Sequence, residues 1–508
     1  MDQIVALAKR RGFAYPGSEI YGGFANSYTY GPYGSELKKN IKDLWWKTFV
    51  QNRTDVVGID GDIILHPKTW EASGHLNNFN DPLVDCKSCK KRIRVDDFLE
   101  DWIKKRTGAT MEYEKILEKF RKDVPKEEVY QEGLKEGAKK TSNFSEYAKQ
   151  VVRFEEGIAK DDLKLVHQIL QGQKIKCPFC GKVDWAEPRQ FNLMFSTQMS
   201  KTLEGEGTVA YLRPETAQAI FLEFKNIVDT MRVKLPFGIA QIGKAFRNEI
   251  TPGNFIFRRL EFEQMEIEYF IFENTWEKTF EAWLKDMKDW CQLIGLTKVH
   301  ELEHAQEKLS HYSKRTVDLE YDFPFGRKEL YGLAYRTDFD LAQHEAFSKK
   351  ELKIHDEESG KKILPHVIEP TWGVDRTVLA LLCEAYHEEK LEDGERVVLK
   401  FKPIVAPVKV AVMPLMKKDG MKEKAEEVFE LVKEFGNCEL DDGGSIGKRY
   451  RRQDEIGTPV CVTIDYDTME KGTVTIRDRD SMKQERVKIG ELVDKLRKRY
   501  FTIGHLFL

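Results

Sequence analysis

A guanidinium group, an aromatic ring and several carboxylates stand close together between residues 240 and 270. Ala240–Glu249 and Phe255–Phe270 have the composition of strands, and Thr251–Asn254 has that of a turn, which predicts a long antiparallel hairpin. Side chains alternate between the two faces of a strand. The residues expected to share a face are Arg247 with Glu249 on the first strand, and Phe262 with Gln264 and Glu266 on the second.

The carboxylates of this hairpin need a positive partner. Glu261, Glu263, Glu266 and Glu268 fall within eight residues, although glutamate is disfavoured in strands and neighbouring like charges repel. A nucleotide and an amino acid would meet the need. Arg247 can neutralise a phosphate, an aromatic ring can stack under a base, and a carboxylate can receive an ammonium group. The alternative is a solvated edge strand, since surface strands often carry charge.

A second candidate phosphate site lies at the start of a predicted helix. Gly373-Val374-Asp375-Arg376 precedes an apolar helix body, so Arg376 stands at the positive end of the helix. An arginine at a helix start is more often a surface cap, and only together with Arg247 does it indicate a bracket for a triphosphate. A P-loop is excluded, because Gly443–Lys448 has the wrong spacing and Arg449 replaces the required Ser or Thr.

Four of the eight cysteines form two CxxC pairs, Cys86 with Cys89 and Cys177 with Cys180. Four thiolates offer the ligand number and softness that tetrahedral zinc prefers, and they leave no open position for catalysis. These residues therefore predict a structural Zn²⁺ site. The alternative is a set of four reduced thiols packed without metal.

A basic segment near the C-terminus is a candidate nucleic-acid contact. Lys448–Arg452 places four positive charges around Tyr450. Such a run is usually a solvated helix face. The net charge of −3, from 82 basic and 85 acidic residues, would not draw the whole chain to nucleic acid, so binding would depend on local patches.

Length and composition limit the class of protein. With 508 residues, 41% hydrophobic and 33% charged, the chain predicts about three domains and is neither disordered nor membranous. No apolar run approaches the roughly 18 residues of a membrane span. Lys9-Arg10-Arg11 follows a short apolar start, the reverse of the order in a secretory signal. We expect a cytoplasmic protein without membrane contact.

The first 50 residues read as helical. Their apolar positions form a stripe on one face that lacks an obvious partner inside the chain, namely Leu37, Ile41, Leu44 and Trp45.

Four further segments differ in composition and in the spacing of their apolar residues. Residues 91–175 are charge-rich with helical spacing, which predicts a helical insertion. Residues 186–270 consist of short strand-like runs, and residues 320–382 add strands that end in an apolar helix. Residues 404–500 alternate β and α patterns and predict a separate α/β domain.

The hairpin resembles motif 2 of class II aminoacyl-tRNA synthetases, in the wording typical of the glycine enzymes: Phe246-Arg247-Asn248-Glu249, then Arg258 and Glu261–Glu266. Gly373–Arg376 resembles motif 3, and Ser35–Pro67 resembles the dimer-forming motif 1. The segments that also match the glycyl-tRNA synthetase family are Arg213–Thr216, Arg336–Asp338 and His366–Pro370. Matches at so many separate places are highly specific.

The resemblance covers nearly the whole chain and implies an α/β (α+β) architecture. The class II catalytic core, an antiparallel sheet with helices, would comprise residues 1–90 and 176–400. Residues 91–175 would be an insertion tethered by the four cysteines, and residues 404–500 an anticodon-binding domain.

The resemblance also implies roles for single residues. Arg247 would contact the α-phosphate, Glu249 the adenine edge, Phe262 the adenine face, Arg376 the γ-phosphate and Glu329 a Mg²⁺ ion. The implied catalytic residues are Arg247, Glu249 and Arg376. The implied ATP site comprises Arg247, Asn248, Glu249, Phe257, Phe262, Glu329, Leu330, Gly373, Val374, Asp375 and Arg376. The implied glycine site comprises Arg94, Glu215, Phe262, Glu263, Gln264, Met265, Glu266, Arg336, Glu369, Pro370, Thr371 and Gly373.

Two positions depart from the family pattern. Thr371 stands where the family usually has serine, which keeps the hydroxyl but adds a methyl group. Leu260 stands where the family often places arginine, so it is left out of the ATP site.

The activity that the resemblance implies is glycine–tRNA ligation by a homodimer with ATP, Mg²⁺ and a structural Zn²⁺. Glycine would attack the α-phosphate of ATP, and the terminal ribose of tRNA(Gly) would then attack the adenylate. Two other interpretations stay open: a binding protein on a decayed synthetase fold, which should have lost Arg247 and Arg376, and a class II enzyme for serine, threonine or proline.

Overall fold

The computed structural model describes residues 1–95, 98, 102, 157, 162–199, 207–249, 253–306, 309–310, 312–357, 359–391 and 394–501. The chain divides into two compact units. The first comprises Met1–Ser73, Ser196–Phe246 and Gly253–Leu508, and the second comprises Gly74–Phe195 and Arg247–Pro252. Within the described part of the chain, no helix combines the length and apolar composition needed to cross a bilayer.

The described residues form more strands than helices. The helices are α1 (Asp2–Arg10), α2 (Pro32–Trp46), α3 (Pro67–Ala72), α4 (His75–Asn78), α5 (Leu163–Gly172), α6 (Ala217–Met231), α7 (Trp276–Ile294), α8 (Phe339–Ser348), α9 (Val374–Ala385), α10 (Met421–Val432), α11 (Ile446–Ile456), α12 (Tyr466–Lys471) and α13 (Ile489–Leu496). The strands are β1 (Ala14–Pro16), β2 (Tyr28–Tyr30), β3 (Val56–Ile59), β4 (Ile64–Leu65), β5 (Asn80–Asp85), β6 (Arg92–Arg94), β7 (Arg189–Asn192), β8 (Ser196–Met199), β9 (Thr208–Leu212), β10 (Phe237–Phe246), β11 (Glu261–Ile271), β12 (Val299–Glu303), β13 (Arg315–Phe323), β14 (Gly326–Thr337), β15 (Ile354–Asp356), β16 (Lys361–Ile363), β17 (His366–Gly373), β18 (Tyr386–Leu391), β19 (Gly394–Leu399), β20 (Val410–Pro414), β21 (Glu439–Leu440), β22 (Val460–Ile464), β23 (Thr473–Asp478) and β24 (Gln484–Lys488).

A seven-stranded sheet organises the first unit, in the order β12-β13-β14-β17-β11-β10-β3. Every neighbouring pair is antiparallel except β10 with β3, which are parallel. The sheet is largely antiparallel and is covered by helices. This is the α+β architecture that the sequence predicts for the catalytic core, so this part of the fold prediction is confirmed.

One face of this sheet is the main hydrophobic core. Met265 and Ile267 of β11 and Trp372 of β17 are fully buried there, among side chains of α2, α7 and α9. The ring of Trp45 on α2 lies 5.4 Å from that of Trp372 in an edge-on contact. The apolar stripe of α2 is therefore covered by this chain's own sheet, and the prediction that it lacks an internal partner is wrong.

The N-terminal prediction of continuous helix is also wrong between α1 and α2. Residues 14–30 contain the two short paired strands β1 and β2 and the loop that joins them. Gly31 approaches Gly12 so closely that a Cβ at Gly31 would lie 2.4 Å from the Gly12 carbonyl oxygen. This backbone contact, which the apolar pattern cannot reveal, turns the chain before α2 begins.

The predicted hairpin exists, but its strands are shorter than expected. β10 ends at Phe246 and β11 begins at Glu261, so Arg247 and Glu249 lie beyond the first strand rather than on it. Phe255–Phe257 forms a single 3₁₀ turn. The segment before the hairpin was expected to contain only strands, yet it includes the 15-residue helix α6, whose burial against the sheet overrides the strand-like composition.

The C-terminal part of the first unit has its own five-stranded sheet, in the order β21-β20-β22-β23-β24. β20 and β22 are parallel, and a separate apolar cluster packs them against α10 and α13. The β and α patterns predicted to alternate in residues 404–500 are present, in the order β20, α10, β21, α11 and β22.

The basic run of this domain is only partly exposed. Arg449 is only 4% exposed and donates to the carbonyl oxygens of Gly444 and Pro414. Arg452 forms an ion pair with Asp441 at 2.6 Å. α11 therefore uses two of its four positive charges to hold neighbouring loops, because buried guanidinium groups need hydrogen-bond acceptors.

The second unit contains the three-stranded sheet β6-β5-β7 and the helix α5. A small core surrounds Trp185, whose indole N–H donates to the Ile175 carbonyl oxygen at 2.7 Å. The predicted helical insertion over residues 91–175 lies largely outside the described residues, apart from α5 and its immediate neighbours.

Candidate active site

The second face of the seven-stranded sheet is polar at its centre. β11 and β17 keep one register from Gln264 opposite Gly373 to Ile271 opposite His366, with Glu266 opposite Thr371. On the next strand, Ala334 of β14 lies opposite Glu369. Because side chains alternate, Gln264, Glu266, Thr371 and Glu369 all project from this face.

Small residues leave room above these polar groups. Gly332 and Ala334 on β14 lie opposite Thr371 and Glu369, and Gly243 on β10 lies opposite Gln264. A Cβ at Gly243 would lie 2.2 Å from a guanidinium nitrogen of Arg213. Glycine is therefore required here if the Arg213 guanidinium is to lie flat over the strand.

Arg213 closes one side of the pocket. It is 2% exposed, and it donates to the carbonyl oxygens of Lys244 at 2.7 Å and Gly61 at 2.8 Å. These contacts occupy the guanidinium with backbone acceptors, so Arg213 positions the pocket wall rather than a carboxylate.

Arg336 holds the opposite side. Its guanidinium donates twice to Asp340, at 2.8 and 2.9 Å, and once to Glu369 at 2.9 Å. It also stacks 4.0 Å above the ring of Tyr312. Burial disfavours its charge, but Asp340 and Glu369 outweigh that effect and raise the pKa of Arg336 well above its usual value.

Glu266 is held from both sides by hydroxyl groups. Thr371 donates to one of its carboxylate oxygens at 3.0 Å, and Thr216 donates to the other. Burial raises the pKa of Glu266, and the charge of Glu215 adds to the rise. Burial likewise raises the pKa of Glu369 to about 8, against the opposing effect of Arg336.

Gln218 of α6 connects the acidic residues of the pocket with helix α8. Its amide donates to Glu215 and to Asp340, both at 3.0 Å, and its oxygen contacts His344 at 2.8 Å. The pocket therefore contains Glu215, Glu266 and Glu369 on fixed supports, with more negative than positive charge, and it is suited to an ammonium group.

A separate cluster lies at the start of α9. The Arg376 guanidinium contacts the carboxylate of Glu329 at 3.1 Å and donates to its carbonyl oxygen at 3.0 Å. The same guanidinium lies 4.6 Å above the Phe257 ring. Three residues predicted for the ATP site are thus brought together at a partly open helix N-terminus.

Other predicted residues direct their side chains elsewhere. Glu263 forms ion pairs with Lys38 and Lys42 of α2, on the opposite face of β11 from Glu266. Asp375 accepts hydrogen bonds from Tyr30, from Arg259 and from the Glu263 N–H. The predicted residues whose side chains are buried away from the pocket are Met265, Leu330, Pro370 and Val374. These positions can offer a ligand little more than backbone groups.

Four predicted residues belong to the second unit. Arg94 forms an ion pair with Asp81 at 3.3 Å. The Arg247 guanidinium lies 5.2 Å from the Phe79 ring, and the Asn248 N–H donates to the Leu193 carbonyl oxygen. Glu249 follows directly, and its N–H donates to the Arg247 carbonyl oxygen.

Comparison with known proteins decides the family. The chain is 47% identical over 503 residues to a glycine–tRNA ligase of Lachnoclostridium phytofermentans, an alignment that spans 98% of this chain and 99% of the relative. The chain belongs to the glycine–tRNA ligase family of class II aminoacyl-tRNA synthetases. A glycine–tRNA ligase of Geobacillus thermodenitrificans is 48% identical, in an alignment that spans 97% of this chain and 96% of the relative. One of Bacillus anthracis is 46% identical, over 98% of this chain and 99% of the relative.

Family models agree with this membership along the chain. A class II core domain for the G, H, P, S and T enzymes matches residues 201–386, and an anticodon binding domain matches residues 409–499. A glycyl-tRNA synthetase insertion domain matches residues 81–193.

The four paired cysteines of this glycine–tRNA ligase family member converge in the second unit. The Sγ atoms of Cys86 and Cys180 are 3.6 Å apart, and those of Cys89 and Cys177 are 3.7 Å apart. All four sulfur atoms lie within 4.8 Å of one another.

Sequence reasoning missed several residues of the site. Glu268 was counted among the crowded glutamates but given no role, although its place two residues after Glu266 puts it on the same strand face. Asp340, the main partner of Arg336, was also missed. It follows Arg336 by four residues at the start of α8, and this spacing could have indicated the ion pair. Arg259, which binds Asp375, had no local signal because its partner lies 116 residues away.

Proposed function

We propose that this glycine–tRNA ligase family member activates glycine with ATP and transfers it to tRNA(Gly). The observation that carries the proposal is the pocket in which Glu215, Glu266 and Glu369 are held by Gln218, Thr371 and Arg336. A buried acidic pocket of this kind recognises a small cation, and glycine offers an ammonium group with no side chain to accommodate.

We propose that β11 aligns the two ends of the adenylate. Phe262 and Glu266 are on the same face of the strand and are separated by about 13 Å along it. The adenine would stack on Phe262, and the ammonium group would lie at Glu266. Arg376 supports this arrangement by presenting its guanidinium beside Phe257 at the start of α9, where the γ-phosphate would bind.

Motif 2 supplies the rest of the proposed nucleotide site. By the sequence resemblance, Arg247 would bind the α-phosphate and Glu249 the adenine edge, and Asn248 would belong to the same ATP site. Glu329 would hold Mg²⁺, which neutralises charge on the phosphates when it is bound. Glu329 now faces Arg376, so the proposal requires this ion pair to reorganise when the nucleotide enters.

Glycine specificity would come from space as well as charge. The glycine site would comprise Arg94, Glu215, Phe262, Gln264, Glu266, Arg336, Glu369, Thr371 and Gly373, with backbone contributions from Glu263, Met265 and Pro370. The Thr371 hydroxyl donates to Glu266, so its methyl group adds bulk beside the ammonium position. A larger amino acid would be excluded by overpacking.

The reaction needs no nucleophilic side chain. The glycine carboxylate attacks the α-phosphate, and the guanidinium groups of Arg247 and Arg376 offset the charge that develops on the phosphate oxygens. Pyrophosphate leaves, and the terminal ribose hydroxyl of tRNA then attacks the adenylate carbonyl. The bond from this carbonyl carbon to the phosphate oxygen breaks, so AMP leaves and the hydroxyl gives up its proton. The protein contributes orientation and electrostatic stabilisation in both steps.

Charging of an unmodified tRNA(Gly) transcript with labelled glycine tests the proposed function. We expect ATP-dependent formation of glycyl-tRNA, and no product with a tRNA(Ser) or tRNA(Thr) transcript. If no glycyl-tRNA forms in the presence of ATP, the proposal is rejected and a binding protein on the same fold is favoured.

We propose that the four cysteines hold one structural Zn²⁺. Zn–S bonds of about 2.3 Å in a tetrahedron place neighbouring sulfur atoms about 3.8 Å apart, close to the measured 3.6 and 3.7 Å. Cys86 and Cys177 are also part of the small core around Trp185, so the metal would support the packing of this unit.

Metal analysis of protein purified without chelator is expected to give one zinc per chain. Cys177→Ser should lose that zinc, whereas Cys438→Ser, which removes a thiol outside the cluster, should keep it. A wild-type protein without bound metal would contradict the four-thiolate site.

We propose that the enzyme is a homodimer, since Ser35–Pro67 resembles motif 1. The loop between β1 and β2 supports this, because it exposes Ile20 (87%), Tyr21 (88%) and Phe24 (74%), apolar surface that a second copy would cover. Light scattering should give twice the chain mass of 59.2 kDa. A monomer mass at micromolar concentration would count against the proposal.

The domain limits and cellular location complete the proposal. Residues 1–90 and 176–400 would form the catalytic core, residues 91–175 the insertion, and residues 404–500 the domain that binds the tRNA anticodon. A cytoplasmic location is proposed because tRNA charging takes place where tRNA and ATP are used for protein synthesis.

A further inference from the structure

Glu268 is the one member of the acidic pocket that no motif assigned. It is 0% exposed, and neither of its carboxylate oxygens has a hydrogen-bond partner in the described part of the chain. A buried carboxyl group without a partner is costly, so its presence at this position calls for a ligand.

The strand register explains where this carboxyl group points. The constant register of β11 and β17 places Glu268 opposite Glu369, one step deeper than the pair Glu266 and Thr371. Below it, Phe270 already belongs to an apolar cluster. Glu268 therefore forms the floor of the pocket, at the boundary between its polar and apolar parts.

The three carboxyl groups of Glu266, Glu268 and Glu369 converge. One oxygen from each lies within 4.8 Å of the other two. The centre of a triangle with sides of 4.8 Å is about 2.8 Å from each corner, so one nitrogen atom can reach all three oxygens at hydrogen-bond distance. An ammonium group carries three N–H donors, one for each carboxyl group.

We infer that Glu268 is the third acceptor for the substrate ammonium group and thereby a specificity-determining residue of the glycine site. The inference rests on the proposed function. Glu266 is already oriented by two threonine hydroxyls and Glu369 by Arg336, which leaves Glu268 as the acceptor with free capacity.

The charges around Glu268 agree with this assignment. The groups that act on it are Glu369, Glu266 and Asp340, which are acidic, and Arg336, which is basic. Burial, followed by the charge of Glu369, raises the pKa of Glu268 well above its usual value. Acidic groups outnumber the basic one around Glu268, so an entering cation would compensate for the negative charge gathered there.

Glu268→Met tests the assignment, because methionine has nearly the shape of glutamate but no acceptor oxygen. We expect the KM for glycine in ATP–pyrophosphate exchange to rise about 10- to 100-fold, with the KM for ATP unchanged. Glu268→Gln, which keeps one acceptor oxygen, should raise the glycine KM less, about 3- to 10-fold. Glu277→Met, the same change at an exposed position of α7, is the matched control.

Thermal unfolding separates ligand binding from a purely structural role. Without glycine, Glu268→Met should unfold at the same temperature as the wild type or higher, because it removes an unpartnered buried carboxyl group. With saturating glycine, the wild type should be stabilised and the variant should lose most of that shift.

Each outcome decides the question. An unchanged glycine KM in Glu268→Met, or a lower unfolding temperature without glycine, overturns the assignment. If Glu268→Met does not fold, Glu268→Gln decides, and an unchanged glycine KM there overturns it. Absence of glycine-dependent exchange in the wild type would instead reject the proposed function.

Discussion

Replacing Arg336 with alanine is expected to abolish glycine activation and to lower the free energy of unfolding by about 3–5 kcal/mol. Arg336 is 2% exposed, and it compensates Asp340 and Glu369 directly, with Glu268 close by. Without it, Asp340 and Glu369 lose the guanidinium group that pairs with both of them. Some of these groups would take up protons, which limits the loss of stability but removes the charge that glycine needs.

Urea unfolding followed by tryptophan fluorescence, together with glycine-dependent exchange, measures both effects. Arg327→Ala is the control, because this arginine is exposed and its ion pair with Asp322 should contribute less than about 1 kcal/mol. Equal stability of the Arg336 and Arg327 variants would contradict the proposed charge balance of the pocket.

Replacing Arg247 with alanine is expected to lower kcat for pyrophosphate exchange about 100- to 1,000-fold, or about 3 kcal/mol or more of transition-state stabilisation. The proposed reason is the loss of a positive charge at the α-phosphate. Arg247 lies one residue beyond the end of β10, and its guanidinium lies 5.2 Å from the Phe79 ring. We expect the folded structure to survive its removal, because Arg247 is not part of the paired strands that hold the central sheet together.

Circular dichroism and exchange kinetics of Arg247→Ala should therefore diverge, with a native spectrum and a low rate. Arg189→Ala removes an exposed arginine of the same unit, paired with Asp85 at 3.4 Å, and should retain wild-type kinetics. A folded Arg247→Ala protein with unchanged kcat would refute the assignment to the α-phosphate.

The sequence predicted the elements of the site better than their limits. Alternation placed Gln264 and Glu266 on one face of β11, because a strand has a fixed period of two residues. It could not place the end of β10 at Phe246, since that limit depends on where pairing stops. Arg247 and Glu249 were therefore expected on a strand that ends before them.

The sequence also did not show which face of β11 packs in the core. The resemblance implied the continuous run from Phe262 to Glu266 for glycine binding. The structure divides this run, because Met265 packs in the core and Glu263 binds two lysines of α2. Only the distant contacts with α2 and Trp372 determine which residues face the pocket.

A local pattern of charged or apolar residues also does not show which groups it will contact. Lys448–Arg452 has the composition of a nucleic-acid contact, yet the Arg449 guanidinium donates its hydrogen bonds to backbone carbonyl oxygens of this chain. The apolar stripe of α2 suggested a partner chain, yet its partner is the central sheet. In both cases the local pattern identified a need for a partner, and only tertiary structure showed which partner met it.

The most direct test of the central claim is ATP–pyrophosphate exchange with purified protein, run in parallel with glycine, alanine, serine, threonine and proline. A small acidic pocket closed by Thr371 and Arg336 predicts exchange with glycine and at least about 100-fold lower kcat/KM with alanine, on the scale of one overpacked methyl group. Exchange with serine, threonine or proline and none with glycine would contradict the account.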